Sequence, residues 1–216
     1  MSIIDLVGYV AGLSTAGSLV PQIFRILRTT RSADQLSIAF LVIQGVAIGL
    51  WLVYGLRFGQ AQAFQYAQIA AIGPVLILVC LTVRFGNRSS RDAALGITVI
   101  LGLPLASQVT ELPTAQVGWV AVTATTTALV PQVLRLRSVS NSNEISGCFM
   151  AIFAARLSLW FIYGVSLGNT FLWAAQVVTA PALLYLAILV ARRRRATRHQ
   201  SLPPPPIRSR VGAVPK

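Results

Sequence analysis

The chain has 216 residues, 55% hydrophobic and only 11% charged, with a mean hydropathy of +0.71 and a formal charge of +13. So large an apolar share exceeds what a soluble core of this length can bury, which excludes a water-soluble globular domain and leaves the bilayer as the fitting solvent. The two cysteines, Cys80 and Cys148, sit in or beside apolar stretches without metal or redox spacing; they read as small buried hydrophobes and exclude a disulfide framework.

A helix needs about 20 residues to cross roughly 30 Å of hydrocarbon. On that measure the pattern predicts helices at about 6–27, 36–56, 62–84, 92–108, 116–137, 145–165 and 170–191. The N-terminus carries Asp5 and no basic region, so the first apolar segment is expected to remain as a helix. Near the end of that first helix stands Leu19-Val20-Pro21-Gln22-Ile23-Phe24-Arg25. Pro21 removes the backbone donor to the carbonyl of Gly17, and the Gln22 carboxamide can satisfy backbone groups at such a break. The second helix closes on Leu50-Trp51-Leu52-Val53-Tyr54-Gly55. The third carries Gln65 and Gln68 one turn apart on one face, with Gln60 and Gln62 above them. The fourth is short, weakly apolar and expected to be broken by Pro104.

From the fifth helix onward the chain repeats itself. Leu129-Val130-Pro131-Gln132-Val133-Leu134-Arg135 copies the first motif 110 residues later, so Pro131 and Gln132 match Pro21 and Gln22. Leu159-Trp160-Phe161-Ile162-Tyr163-Gly164 follows its counterpart by 109, and Ala175-Gln176-Val177 follows Ala67-Gln68-Ile69 by 108. Self-similarity of this kind marks a duplication. A three-helix repeat begins and ends on opposite sides of the membrane, so two repeats in parallel orientation need one additional crossing. The expected fold is therefore all-α, seven transmembrane helices in a 3+1+3 plan. Residues 1–86 form the first repeat, 87–115 the linker helix with its flanking loops, 116–191 the second repeat, and 192–216 a disordered, basic, proline-rich tail.

The arginines test the plan. Arg25, Arg28, Arg31, Arg84, Arg88, Arg91, Arg135 and Arg137 in alternate loops join the tail residues to place 16 of 18 basic side chains on one face. The positive-inside rule then sets the N-terminus outside and the C-terminus in the cytoplasm of a multi-pass protein of the cell membrane. Topogenic arginines attracted to anionic inner-leaflet lipid account for the net charge, so membrane lipid is an expected partner and nucleic acid is not. Whether the chain forms a homo-oligomer stays open.

These motifs carry a resemblance. The Pro-Gln pair near the cytoplasmic end of the first helix of each repeat, the basic loop ending in Asp34-Gln35-Leu36-Ser37 or Asn143-Glu144-Ile145-Ser146, and the Trp-x-x-Tyr-Gly endings resemble the PQ-loop superfamily. Within it the layout is most similar to SWEET-type (MtN3/saliva) sugar facilitators and their half-size SemiSWEET relatives. The resemblance covers about residues 5–190 without the fourth helix. It implies alternating access, with Pro21, Gln22, Pro131 and Gln132 at the bending points, and a sugar stacked on Trp51 and Trp160, although both tryptophans also suit an aromatic belt. A carboxamide in hydrocarbon is costly unless it is paired or faces water. Gln68 and Gln176, with Gln65 near, are thus expected either to tie helices together or to face a shared polar site; the family typically has asparagine at this position.

Arg156 lies near the middle of the sixth helix, while its repeat partner is Ala47. No acidic residue falls inside a predicted span, so Arg156 either serves an anionic solute in a cavity or snorkels to helix carbonyls. The same lack of Asp, Glu or His in the spans speaks for facilitated diffusion, a uniporter, against proton coupling and against an enzyme; no cofactor or metal is expected. Two alternatives remain: a PQ-loop carrier of amino acids or organic anions, and a non-transporting receptor or scaffold.

Overall fold

In the computed structural model, described over residues 2–59, 62–110, 112–138 and 147–200, every regular element is helical. Side chains are described for all of these except Arg31, Gln35, Gln132 and residues 135–138, 147–149 and 193–200. Expectations for the Asn143–Ser146 loop, Glu111, the Gln132 and Cys148 side chains and the tail beyond Gln200 lie outside the described residues.

Helix starts follow local chemistry. Helix α1 (Ile3–Arg28) opens on a capping box, in which the Ser2 backbone N–H donates to Asp5 Oδ2 at 2.9 Å and the Asp5 N–H donates to Ser2 Oγ at 3.1 Å. A 3₁₀ turn (Thr30–Gln35) leads to α2 (Ile38–Arg57), where the Phe40 N–H donates to Ser37 Oγ. Helix α3 spans Gln62–Phe85, and α4 (Ser90–Val109) opens on a second capping box, Ser89 with Asp92. Four further helices follow: α5 (Thr114–Thr127), α6 (Leu129–Ser138), α7 (Gly147–Ser166) and α8 (Thr170–Gln200). The α2–α3 and α7–α8 connections each turn on a left-handed glycine, Gly59 at φ 63° and Gly168 at φ 62°, which stand 109 residues apart as the duplication requires. Five helices are long and apolar enough to cross a membrane by length and composition: α1, α2, α3, α4 and α8 over Thr170–Arg192.

Three departures from the sequence reading have physical causes. The predicted fifth helix is two, α5 and α6, interrupted at Ala128. Pro131 cannot bond the carbonyl of Thr127, and its ring crowds that same carbonyl. Helix α4 runs unbroken through Pro104. Its docking face explains why: a Cβ on Gly45 of α2 would meet Ile100 Cγ1 at 2.8 Å, and one on Gly49 would run into the Pro104 ring, so the glycines give the proline a flat seat. Helix α8 passes the predicted end at 191 and continues through the basic run to Gln200. Cys80, expected inside, faces outward on α3.

Helix α1 packs against α3 and α7, α2 against α3, α4 and α5, and α8 against α7 and α5. The α1–α7 and α2–α5 contacts therefore join the two repeats, each across the position its counterpart occupies. Two apolar clusters fill the ends of the bundle. One, with Ile26, Leu41, Leu78, Leu129 and Leu186, lies toward the Pro-Gln end, and the other, with Trp51, Tyr54, Phe64, Trp160, Tyr163 and Leu172, lies toward the opposite end.

Candidate functional site

Between these clusters lies a cavity lined by Thr15, Gln44, Ile48, Trp51, Phe64, Gln68, Thr125, Arg156, Trp160, Leu172 and Gln176. Its room for water-sized molecules is about 30 Å³, enough for roughly two or three waters and too little for a sugar ring.

The lining repeats its own geometry. Trp51 Nε1–H on α2 donates to Thr125 Oγ1 on α5 at 2.8 Å, and Trp160 Nε1–H on α7 donates to Thr15 Oγ1 on α1, also at 2.8 Å. Each threonine hydroxyl in turn donates back to its own helix, Thr15 to Ala11 O at 2.9 Å and Thr125 to Ala121 O at 2.8 Å. Both indoles are thus oriented by the opposite repeat. Each also packs edge-on against the tyrosine three residues on, with 5.6 Å between centroids in both the Trp51–Tyr54 and the Trp160–Tyr163 pair. Trp51 and Trp160 are buried, so they are cavity walls and do not form an aromatic belt. Tyr54 and Tyr163, expected as anchors or packing residues, are fully buried packing residues.

Gln68 on α3 and Gln176 on α8 both reach this cavity. Gln176 Nε2 donates to Leu172 O at 3.0 Å, whereas among the described residues neither Gln68 nor Gln44 makes a side-chain hydrogen bond. Gln65 stands apart: it is half-buried on α3 beside Gly55 and does not line the cavity. Pro21, Gln22 and Pro131 also lie outside the lining, toward the end where α6 begins; Gln22 is buried.

Arg156 is 5% exposed and sits in the wall, its guanidinium 4.1 Å from the centroid of the Phe153 ring. Its Nε has no hydrogen-bond partner. Among the described residues it makes no hydrogen bond to a helix carbonyl. Arg57 does, donating to the carbonyls of Leu112, Ser107, Gln108 and Thr110 at the end of α4.

Sequence reasoning passed over Thr15, Thr125 and Gln44. The threonines stand 110 residues apart, in register with Pro21 and Pro131, and that spacing would have found them. Gln44 faces Phe153 in the repeat, so a search for matched pairs discards it, although a mid-span carboxamide is itself a signal.

Residues 3–64 match the family model described as PQ loop repeat. The chain is 36% identical over 59 residues to a sugar transporter SemiSWEET of Bradyrhizobium diazoefficiens, covering 27% of this chain and 67% of that one. With a SemiSWEET of Leptospira biflexa it shares 32% over 74 residues, covering 34% of this chain and 84% of the relative. In fold it is similar to a eukaryotic SWEET transporter, with a TM-score of 0.63 over 90% of this chain and 100% of that one at 13% identity. A chain whose two halves each carry the Pro-Gln motif, and which covers two thirds or more of each half-size relative, belongs to the PQ-loop family, with the SemiSWEET proteins.

Proposed function

We propose that this protein is a membrane sugar transporter working by alternating-access facilitated diffusion. The observation that carries the proposal is the convergence of three symmetry-matched pairs, Thr15 with Thr125, Trp51 with Trp160 and Gln68 with Gln176, on one small cavity between the repeats. Indole faces suit the apolar face of a sugar ring and carboxamides suit its hydroxyls, and both SemiSWEET relatives are sugar transporters by name. In this reading the 3+1+3 plan places the two repeats in parallel, and the helices bend near Pro21, Gln22, Pro131 and Gln132 to widen the cavity toward one side at a time. The arginine distribution supports an outside N-terminus and a cytoplasmic C-terminus.

Purified protein in liposomes, offered labelled sugars and amino acids, tests the proposal. Gln68→Ala and Gln176→Ala are each expected to weaken apparent sugar affinity by about two- to tenfold, the worth of a neutral hydrogen bond, at unchanged membrane abundance. Parental flux in a normally inserted variant would remove that glutamine from the site. Transport of amino acids and of no sugar would overturn the substrate class.

A further inference from the structure

The cavity wall is symmetric in its tryptophan, threonine and distal glutamine pairs, exchanges one apolar side chain for another at Phe64 and Leu172, and changes polarity and charge at one place. Where the first repeat has Gln44 and Ala47, the second has Phe153 and Arg156. A guanidinium presents five donors and holds its charge at any physiological pH. Here it is buried, its Nε is unpartnered, and the described acidic residues, Asp5, Asp34 and Asp92, all lie in the first turn of a helix or in the 3₁₀ turn. The ring of Phe153 beneath it offers a cation–π contact and no hydrogen-bond acceptor. A buried cation of this kind is stable only where water or a counter-charge reaches it; the cavity as it stands has room for the water, and the widening of alternating access makes room for the counter-charge.

Resting on the transporter reading above, we propose that the cavity is built for a sugar acid, a monosaccharide bearing one carboxylate. The carboxylate meets Arg156, displacing the water that otherwise solvates it. The hydroxyls reach Gln44, Gln68 and Gln176, and the ring lies between Trp51 and Trp160. A carboxylate matches the planar guanidinium fork with two parallel hydrogen bonds. The cargo is a monoanion and the wall charges return with the empty carrier, so each turnover carries one negative charge and the membrane potential drives the flux. An interior-negative potential of 100 mV favours export over import about fiftyfold.

The full chain in liposomes, offered labelled glucuronate, glucose and glucose 6-phosphate under potassium–valinomycin potentials, tests this. Glucuronate is expected to be preferred over glucose at least tenfold, and its flux to reverse direction with the sign of the potential while glucose flux ignores it. In R156Q, glucuronate affinity should fall about ten- to a hundredfold, the worth of a charge-assisted hydrogen bond, and the preference for glucuronate over glucose should shrink with it. The preference of the unaltered protein needs no variant, so it decides the matter even if R156Q folds poorly. Preference for glucose 6-phosphate, or competition by chloride or sulphate with no uptake of glucuronate, overturns the inference. Uptake of glucose without glucuronate also overturns it and leaves sugar transport standing, whereas uptake of no sugar of either kind overturns both.

Discussion

Tyr54 and Tyr163 occupy matched positions, are equally buried and differ in one hydrogen bond. The Tyr54 hydroxyl pairs with the Asn169 carboxamide, whose Nδ2–H donates to it at 2.9 Å, and Asn169 Oδ1 also accepts the Leu172 N–H at the start of α8. Tyr163 Oη has no partner. Removing a paired group leaves its partner orphaned, while removing an unpaired one costs little or nothing. Tyr54→Phe is therefore expected to destabilise the protein by about 1–2 kcal/mol, and Tyr163→Phe to be neutral or stabilising by up to about 1 kcal/mol, read from thermal unfolding of the purified protein in detergent. Equal shifts in both variants would show that the hydroxyls are equivalent and that the Asn169 bond contributes nothing net. The sequence offered no way to separate the two tyrosines, because the difference lies in a loop residue 115 positions from Tyr54.

The two Pro-Gln helices differ in the same way, and their difference concerns backbone more than side chain. Helix α1 is continuous through Pro21, whereas the matching segment breaks at Ala128. The turn before Pro131 holds Thr123, Thr125, Thr126 and Thr127, and their hydroxyls donate back to the carbonyls of Trp119, Ala121 and Thr123. Such back-bonding bends a helix, and β-branched side chains crowd the preceding turn. The first repeat has Leu13, Thr15, Ala16 and Gly17 at the matching places; Ser14, Thr15 and Ser18 bond back to its carbonyls too, but it carries one β-branched threonine there in place of four and keeps its ladder. Proline spacing alone predicts a weak point in both helices; only the threonine run says which one gives. Pro131→Ala is thus expected to slow transport several-fold by closing a break already present, and Pro21→Ala to have the smaller effect, measured as initial uptake rates at equal reconstituted amounts. A larger loss in Pro21→Ala would put the principal bend in α1.

At the scale of the whole molecule the prediction is topological. A reporter fused after Lys216 should be active only in the cytoplasm and one inserted near Glu111 only outside. Cytoplasmic activity at Glu111 would remove α4 as a crossing and the parallel arrangement with it. Much of the molecule was legible beforehand because duplication and lipid both constrain sequence strongly: apolar runs mark the helices, and the repeat marks the paired wall residues Trp51, Trp160, Gln68 and Gln176. Beyond the matched threonines Thr15 and Thr125, which the spacing holds, what escaped was whatever breaks the symmetry, namely Gln44, Asn169 and the gap at Ala128, since comparison of halves reports only what they share. Arg156 was visible for the opposite reason, as a charge where its twin is Ala47. That pairing sets a rule of parity. Two identical halves facing each other across this cavity would hold an even number of guanidinium groups, none or two, and two unpaired cations in so small a space would repel strongly in a low-dielectric setting. Joining the halves in one polypeptide makes an odd number attainable, and for the proposed monoanionic cargo a single guanidinium is the matching counter-charge.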